Sequence, residues 1–423
     1  MIEFEWKFVS TALVCVLAAS FVAVAPYAAA QVTITSNSLF VGDQGSQSVK
    51  LVDIQTATTA ATSNFATSNI NGPKGIIFTG TGLGSVMLVA NQFPNTNMPG
   101  DIAKYNPSTG QFLGPLVPQS DPNAPHAPRG IVLSPDHKFL YVADFTESIG
   151  GASSGPGKLL EYDANTGAFI ASYSAQNLLN SQFKDQFNPR GLVFGPDGLL
   201  YISVVDTHNR LTGYILTFNP STHAFNILVR SDAANNYDNF VGGSGMHRPE
   251  GIVFDSTPQH NLWVTSFCAL DSSGNCSNTF PTAATSSTNV DKIIEFTPSG
   301  QVNTIPLENS LPTAAARTYA QAILFGPNLG TTNENLYVPI TTTGQLRVYE
   351  TQTTPFTFTS VVQSGSPLVQ PWYLSFRGTD PSTLAYTTAV SALSSSPSSL
   401  SSTQAPSNTQ PIPSQPNFRP FQP

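Results

Sequence analysis

Short apolar segments recur along the chain in pairs, with a polar turn between the two members of each pair. The first segments are apolar almost throughout: GIIF from residue 75, GIVL from 130, GLVF from 191, GIVF from 251, AILF from 322 and WYLSF from 372. The second segments carry an aromatic residue near their start in most units: VMLVAN, FLYVAD, LLYISV, NLWVTS, NLYVPI and LAYTTA. Apolar runs of this length between turn residues are typical of buried strands. Each pair therefore predicts two neighbouring strands.

A third kind of segment follows four of these pairs. Apolar and polar positions alternate in it on both sides of an N-P-S-T, D-A-N-T-G or T-P-S-G turn: GDIAKYNPSTGQFLG, GKLLEYDANTGAFIAS, GYILTFNPSTHAFNIL and DKIIEFTPSGQVNTI. Alternation with period two around such a turn is typical of a β-hairpin. Each repeat unit therefore supplies four antiparallel strands.

Six such units predict an all-β, six-bladed β-propeller. The sixth unit lacks an outer hairpin, whereas residues 39–60, LFVGDQGSQSVKLVDIQTATTA, read as a second strand and a hairpin without an inner strand. We expect N-terminal and C-terminal strands to share one blade, which removes exposed sheet edges. Both LFVGD and LAYTT suit the second strand of that blade. Two separate β-sandwiches are the alternative, but the similarity between units and the absence of a central linker argue against them.

The N-terminal pattern is that of an export signal. Lys7 is followed by an apolar run and by PYAAAQ, which predicts cleavage between Ala30 and Gln31. The apolar run is also near the length of a membrane span, so a retained anchor is the alternative. The small residues before Gln31 favour cleavage, although Glu3 and Glu5 depart from the usual signal pattern.

The chain therefore divides into three predicted parts. Residues 1–30 are expected to be a signal peptide, residues 31–391 the propeller, and residues 392–423 a disordered Ser/Pro/Gln-rich tail. We expect an extracytoplasmic monomer, secreted, periplasmic or at the cell surface, with no stable membrane span after signal removal. The net charge of −8 and the pI near 5.1 argue against nucleic acid as a partner, because such binding needs clustered Lys and Arg.

Cysteine usage fits this location. Cys15 lies in the predicted signal, which leaves Cys268 and Cys276 in CALDSSGNC. In an oxidising compartment we expect these two to form a disulfide that closes a small loop. A zinc site is the alternative, but two cysteines without a neighbouring histidine are a poor ligand set.

The units PRGIVLSPDHKFLYVADF…GKLLEYDANTG at 128–163 and PRGLVFGPDGLLYISVVD…GYILTFNPST at 189–219 resemble NHL-type repeats. They are also similar to the broader six-bladed group that contains gluconolactonase-like and strictosidine-synthase-like proteins. The resemblance implies a six-bladed propeller over nearly the whole mature chain. The group includes lactonases, lyases and non-catalytic binding proteins, so it selects no single function.

One position in each unit is expected to face the propeller axis. It lies between Pro and Gly in the first four units, and the looser fifth and sixth units offer an equivalent residue: Lys74, Arg129, Arg190, Glu250, Gln321 and Trp372. Three cations at one side of the axial mouth would attract a carboxylate or phosphate group. Alternatively, these cations pair with acids at the ends of second strands, such as Asp43 and Asp144.

Two histidines also occupy matching positions. His126 and His247 each lie three residues before the axial position of their unit. With Glu250 and Asp144 they form a candidate site for one divalent metal ion, or an acid and base pair. A turn or surface role is the alternative for both histidines.

The resemblance bears on this metal hypothesis. Gluconolactonase-like enzymes hold a metal with Glu, Asn and Asp at axial positions, typically through Pro-Asn-Gly at a strand start. Here the matching triplets are Pro128-Arg129-Gly130 and Pro189-Arg190-Gly191, and arginine has donors only. We therefore expect an exported module that binds a protein, a peptide or a small anionic ligand at the axial face. The alternative is a metal-dependent lactonase-like hydrolase or lyase with its site at the axis.

Overall fold

The structure is a computed structural model that describes residues 34–54, 61–80, 85–94, 96–146, 155–179, 186–206, 212–232, 237–238, 244–269, 276, 289–300, 302–309, 313, 316–328, 334–352, 355–365 and 367–387. These residues form six sheets of four or five antiparallel strands and one short 3-10 turn, Gln176–Leu178. The predicted signal peptide and tail lie outside the described residues. Within the described residues no helix has the length and apolarity needed to cross a bilayer.

Each sheet is one blade, and the strand at one edge of the sheet, the inner strand, lies nearest the axis. These inner strands are β4 (Pro73–Phe78), β8 (Pro128–Leu133), β12 (Asn188–Phe194), β17 (Arg248–Phe254), β21 (Leu324–Gly326) and β25 (Pro371–Phe376). Their partners are the second strands β5 (Met87–Asn91), β9 (Phe139–Asp144), β13 (Leu200–Val205), β18 (Leu262–Phe267), β22 (Asn335–Ile340) and β1 (Leu39–Asp43).

The outer half of each blade is a hairpin. The outer hairpins are β6 (Asp101–Tyr105) with β7 (Phe112–Val117), β10 (Lys158–Asp163) with β11 (Phe169–Tyr173), β14 (Thr212–Asn219) with β15 (Ala224–Asp232), β19 (Lys292–Phe296) with β20 (Val302–Pro306), β23 (Gln345–Glu350) with β24 (Thr357–Val362), and β2 (Ser48–Asp53) with β3 (Ala61–Ala66). A short strand, β16 (Tyr237–Asp238), adds a fifth strand to the β12 blade. The predicted six-bladed propeller is confirmed.

The closing blade joins the two ends of the chain. Strand β25 pairs antiparallel with β1, with Leu374 opposite Val41 and Phe376 opposite Leu39. LFVGD is therefore the second strand of this blade. In LAYTT, Tyr386 makes an isolated bridge to Thr379 instead.

Neighbouring blades pack through aromatic side chains. At five junctions an aromatic residue of a second strand meets a phenylalanine of the next inner strand: Phe40 and Phe78, Tyr141 and Phe194, Tyr201 and Phe254, Trp263 and Phe325, Tyr337 and Phe376. Ring centroids in these pairs are 4.7 to 5.9 Å apart, the range in which aromatic pairs attract. The aromatic residue that recurs in the second segments is thus explained by contacts between blades.

After β25, residues 381–384 lie against the ends of two inner strands. The carbonyl oxygens of Pro381 and Ser382 accept hydrogen bonds from the backbone N–H groups of Leu133 and Phe194, the last residues of β8 and β12. Leu384 of this segment lines the axial cavity described below. The segment therefore covers the end of the axis toward which the inner strands run.

Candidate functional site at the propeller axis

A β-bulge at the Pro-x-Gly motif aims one side chain of each of four inner strands. In β8, Pro128 pairs with Asp144 and Ile131 with Val142, so Arg129 and Gly130 face a single residue of β9. The same irregularity occurs in β4, β12 and β17. Bulges redirect side chains, and here the residue between Pro and Gly turns toward the axis.

The glycine of the motif lets neighbouring inner strands approach closely. A Cβ atom on Gly130 would lie 2.7 Å from the carbonyl oxygen of Arg190, and one on Gly191 would lie 2.5 Å from that of Glu250. The backbone N–H of Gly191 is satisfied by the Ser203 hydroxyl at 2.8 Å. The motif is therefore needed to bring the axial residues of successive blades together.

The six predicted axial residues meet in one cavity. Its volume is about 430 Å³ including the space that opens to solvent, and its polar wall consists of Lys74, Arg129, Arg190, Glu250, Gln321 and Trp372. Leu192, Ile252, Ile323 and Leu384 contribute the apolar part of the lining. The sequence repeat thus located the cavity, while its role stays a prediction.

Aromatic rings lie against the three cationic side chains. Lys74 Nζ lies 2.9 Å from the Trp372 ring centroid, and Arg129 Cζ lies 4.7 Å from that centroid and 5.0 Å from the Phe145 centroid. Arg190 Cζ lies 3.9 Å from the Phe145 ring centroid. Because the face of an aromatic ring attracts cations, this arrangement offsets part of the repulsion among three positive charges.

The cavity holds more positive than negative charge. Glu250, 4% exposed, is the one carboxylate among its described lining residues, and its Oε2 lies 3.4 Å from Arg190 Nη1. Nε and Nη1 of Arg129 and Nε of Arg190 are buried without a hydrogen-bond partner among the described residues. The same holds for two acceptors, Oε1 of Glu250 and Oε1 of Gln321. Unpaired buried polar atoms are costly, so we expect a water molecule or a ligand group to contact these atoms.

Burial shifts the proton equilibria of the cations. Desolvation, with the charges of Arg129 and Arg190, holds the pKa of Lys74 well below its usual value near 10.5. The face of Trp372 favours the ammonium by about 1–2 kcal/mol, less than the several kcal/mol that burying an ion costs. Burial lowers the Arg129 pKa to about 9, which leaves this guanidinium charged at neutral pH.

In the described part of the chain, Asp43 and Asp144, at the ends of second strands, form no salt bridges with the axial cations. They accept backbone N–H groups of the segments that lead into inner strands: Asp43 from Val369 and Gln370, Asp144 from His126 and Ala127. Within the described residues neither Asp43 nor Asp144 forms a salt bridge with Lys74, Arg129 or Arg190. The alternative in which these acids neutralise the axial cations is therefore wrong.

The four predicted metal ligands do not meet in one group: His126 lies beside Asp144, which accepts its backbone N–H, and this pair is outside the axial cavity. Of His126, His247, Glu250 and Asp144, only Glu250 lines the axial cavity. His247 is buried, and desolvation followed by the charge of Lys292 lowers its pKa to about 3. Among the described residues, the one group that places three potential ligand atoms within 4.8 Å is Cys268, Cys276 and Asp291. A divalent metal at the four predicted residues stays a prediction.

The cysteine and aspartate group is already occupied by other contacts. Cys268 and Cys276 are paired as a disulfide, with Cα atoms 5.5 Å apart. Asp291 accepts hydrogen bonds from the Cys268 backbone N–H at 2.9 Å and from Arg317 Nη2 at 2.6 Å. Disulfide sulfurs are not the thiolates that metals need. This group fits a structural role.

Three neighbours of the cations had no signal in the repeat pattern. Phe145 follows the predicted second-strand acid and packs against two guanidinium groups. Gln44 lies in the β1–β2 turn, and its Oε1 accepts a hydrogen bond from Lys74 Nζ. Leu384 comes from the segment after β25. Phe145 and Gln44 directly follow the second strands of their blades, and Leu384 begins LAYTT, which the sequence pattern placed in a second strand and not in a cavity wall.

The sequence matches no protein-family model and no curated protein. Similar solved structures include a periplasmic gluconolactonase from Pseudomonas aeruginosa, with 13% identity over 80% of this chain and 98% of that chain and a TM-score of 0.46. A protein from Lactobacillus plantarum has 13% identity, coverages of 80% and 98%, and a TM-score of 0.45. For a gluconolactonase from Xanthomonas campestris the values are 9%, 78%, 86% and 0.41. At these identities and TM-scores no activity follows from the likeness; NHL-type repeats stay a prediction.

Proposed function

We propose that this protein is an exported propeller that binds an anionic group, a carboxylate or a phosphate, in its axial cavity. One observation carries the proposal: Lys74, Arg129 and Arg190 face a single carboxylate, and Arg129 has two buried nitrogen donors without a partner among the described residues. An anion would supply the missing acceptors. Arginine is suited to this because its guanidinium group can donate two parallel hydrogen bonds to a carboxylate or to a phosphate.

Charge and size restrict the ligand. A buried cation without a counter-ion is unfavourable, so Arg129, which has no carboxylate partner among the described residues, gains most from an anion. The volume of about 430 Å³ counts the space that opens to solvent, so the enclosed part of the cavity takes only a small anionic group, carried by a small molecule or by the end of a peptide or side chain. The proposal therefore concerns one anionic group at the axis, whichever molecule carries it.

The test is a titration of the protein with acetate and with phosphate, followed by tryptophan fluorescence and by calorimetry. We expect saturable binding, and Arg129→Gln should weaken it about 10- to 100-fold, the effect of losing a charged hydrogen bond of about 1.5–3 kcal/mol. Arg347→Gln is the matched control, because Arg347 lies on β23 and donates to the Leu307 carbonyl away from the cavity. No saturable binding of either anion would overturn the proposal.

We also infer that the protein acts outside the cytoplasm. The support is the predicted signal at residues 1–30 together with the Cys268–Cys276 disulfide, since disulfides persist in oxidising compartments. Mass determination of the N-terminus of the exported protein tests this: a chain that begins at Gln31 is expected, and an intact Met1 would contradict it.

A further inference from the structure

We propose that Lys74 is an amine nucleophile that forms an imine with the carbonyl carbon of a small 2-oxo acid, whose carboxylate is held by Arg129 and Arg190. The inference rests on the proposed anion binding and adds to it a reactive group and a substrate class. It concerns a covalent step at one atom, Nζ of Lys74.

The position of Lys74 supports this role. Its side chain is 3% exposed, lines the axial cavity and donates to Gln44. Among the described residues it has no carboxylate within salt-bridge distance, because Glu250 pairs with Arg190. Lys74 and Arg129 contact the same Trp372 ring, at 2.9 and 4.7 Å from its centroid, so both groups are within the reach of one small ligand.

The protonation state favours attack. Only the neutral amine carries the lone pair that attacks a carbonyl, and a lysine becomes nucleophilic when it is desolvated or placed beside other cations. Both conditions hold for Lys74: burial is the main cause of its lowered pKa, and Arg129 and Arg190 add to it. Lys74 thus differs from Lys138, whose side chain is exposed to solvent, in being buried beside two other cationic side chains.

The step is balanced in atoms and electrons. The Nζ lone pair forms a bond to the carbonyl carbon, and the carbonyl oxygen takes a proton to give a carbinolamine. The carbon–oxygen bond then breaks, the hydroxyl leaves with a proton from nitrogen as water, and a carbon–nitrogen double bond forms. No oxidant, reductant or metal ion takes part.

The two unpaired acceptors of the cavity fit the intermediate better than the free ligand. A 2-oxo acid anion has only acceptors and offers nothing to Oε1 of Glu250 or Oε1 of Gln321, which lack partners among the described residues. The carbinolamine carries a new hydroxyl and an N–H, both of which are donors. Groups that bind a later species better than the starting one accelerate the step between them.

The test is reductive trapping on the intact protein with pyruvate and sodium cyanoborohydride at neutral pH, followed by peptide mass mapping. We expect one modified site, Lys74, with a mass gain equal to pyruvate less one oxygen atom. Lys292 is the internal control: it is also buried and its pKa is lowered to about 8, but it does not line the cavity. Equal labelling of Lys292 or Lys138 would overturn the proposal.

Two further measurements distinguish a failure of the imine proposal from a failure of the proposed anion binding. Lactate, which has a hydroxyl in place of the carbonyl, should slow the labelling of Lys74 by competition without forming an adduct. Lys74→Arg replaces the amine with a guanidinium, which does not form this imine, and should lose the adduct; persistence of a cavity adduct in this variant would overturn the proposal. If acetate and lactate bind but pyruvate leaves no adduct on Lys74, the imine is wrong and anion binding stands. If no carboxylate binds, the proposed function itself fails.

Discussion

Nη1 of Arg190 lies 3.4 Å from Oε2 of Glu250, and this ion pair joins the cationic and acidic sides of the axial cavity. Both side chains are more than nine-tenths buried, at 8% and 4% exposure. One carboxylate oxygen is used by Arg190, while the other has no partner among the described residues. The pair is therefore half satisfied, and its removal should affect stability and binding in opposite directions.

Glu250→Gln should lower the free energy of unfolding by about 3 kcal/mol, because it leaves a buried arginine without its counter-ion. The same change removes the negative charge that competes with a ligand, so phosphate should bind more tightly. The measurement is Tm with and without phosphate: the variant is expected to start lower and to gain more from phosphate than the unaltered protein. An equal gain in both would contradict the proposed site.

Gly191→Ala should lower the free energy of unfolding by about 1–3 kcal/mol, the usual cost of overpacking, since the new Cβ would lie 2.5 Å from the Glu250 carbonyl oxygen. Gly80→Ala is the matched control, because a Cβ at Gly80 has no neighbour within 4 Å and Gly80 lacks a positive φ. Urea unfolding measures both. Similar costs for the two variants would show that close packing of inner strands is not the reason for the motif glycine.

Acid should weaken the fold through His247. Its folded pKa is lowered from 6.5 to about 3, so the unfolded chain binds a proton between these values while the folded chain does not. The contribution of this residue is complete above pH 6.5 and is lost as the pH falls toward 3. His247→Asn should flatten the pH dependence of unfolding over that range, measured by urea titrations at several pH values.

The control for this pH series is His137→Asn, since His137 lies on a turn with φ +58, a conformation that asparagine accepts. An unchanged slope in His247→Asn would mean that the buried imidazole takes up its proton in the folded protein. Asp144 acts in the opposite sense, because burial raises its pKa to about 6, and its effect is common to all the variants.

Asp43→Ala should destabilise the closing blade. The Asp43 carboxylate accepts the backbone N–H groups of Val369 at 3.0 Å and Gln370 at 2.7 Å, which connects β1 to the segment before β25. Loss of these charged hydrogen bonds should lower the free energy of unfolding by about 2–3 kcal/mol. Asp53→Ala, an exposed change on β2, is the control, and differential scanning calorimetry measures both. A cost no larger than that of the control would contradict the role of Asp43.

Much of the site could be predicted because the repeat fixes register. Once Pro128-Arg129-Gly130 and Pro189-Arg190-Gly191 are aligned, the period of the blades places their central residues around one axis. The sequence did not show that the motif is a β-bulge, but alignment alone was enough to find the six cavity residues.

Pairing partners were the part that could not be predicted. Asp144 was expected to pair with an axial cation. Its carboxylate instead accepts the backbone N–H groups of His126 and Ala127, because a backbone N–H also attracts a carboxylate. His247 matches His126 in sequence, but burial makes it a neutral residue outside the cavity. Phe145 follows a second strand and Leu384 begins LAYTT, and the repeat pattern assigns neither position to the axis. These contacts depend on three-dimensional distance, which the alignment of units does not contain.

The cavity can be completed only after the closing blade has formed. Trp372 belongs to β25, the inner strand that forms last along the chain, and β25 is held by β1 from the opposite end. During synthesis or export, five blades can be complete while one wall of the cavity is still absent. Binding at the proposed site would then require that the chain is made and folded at least to the end of β25, so we expect a chain that lacks β25 to lose ligand binding although Lys74, Arg129 and Arg190 are present.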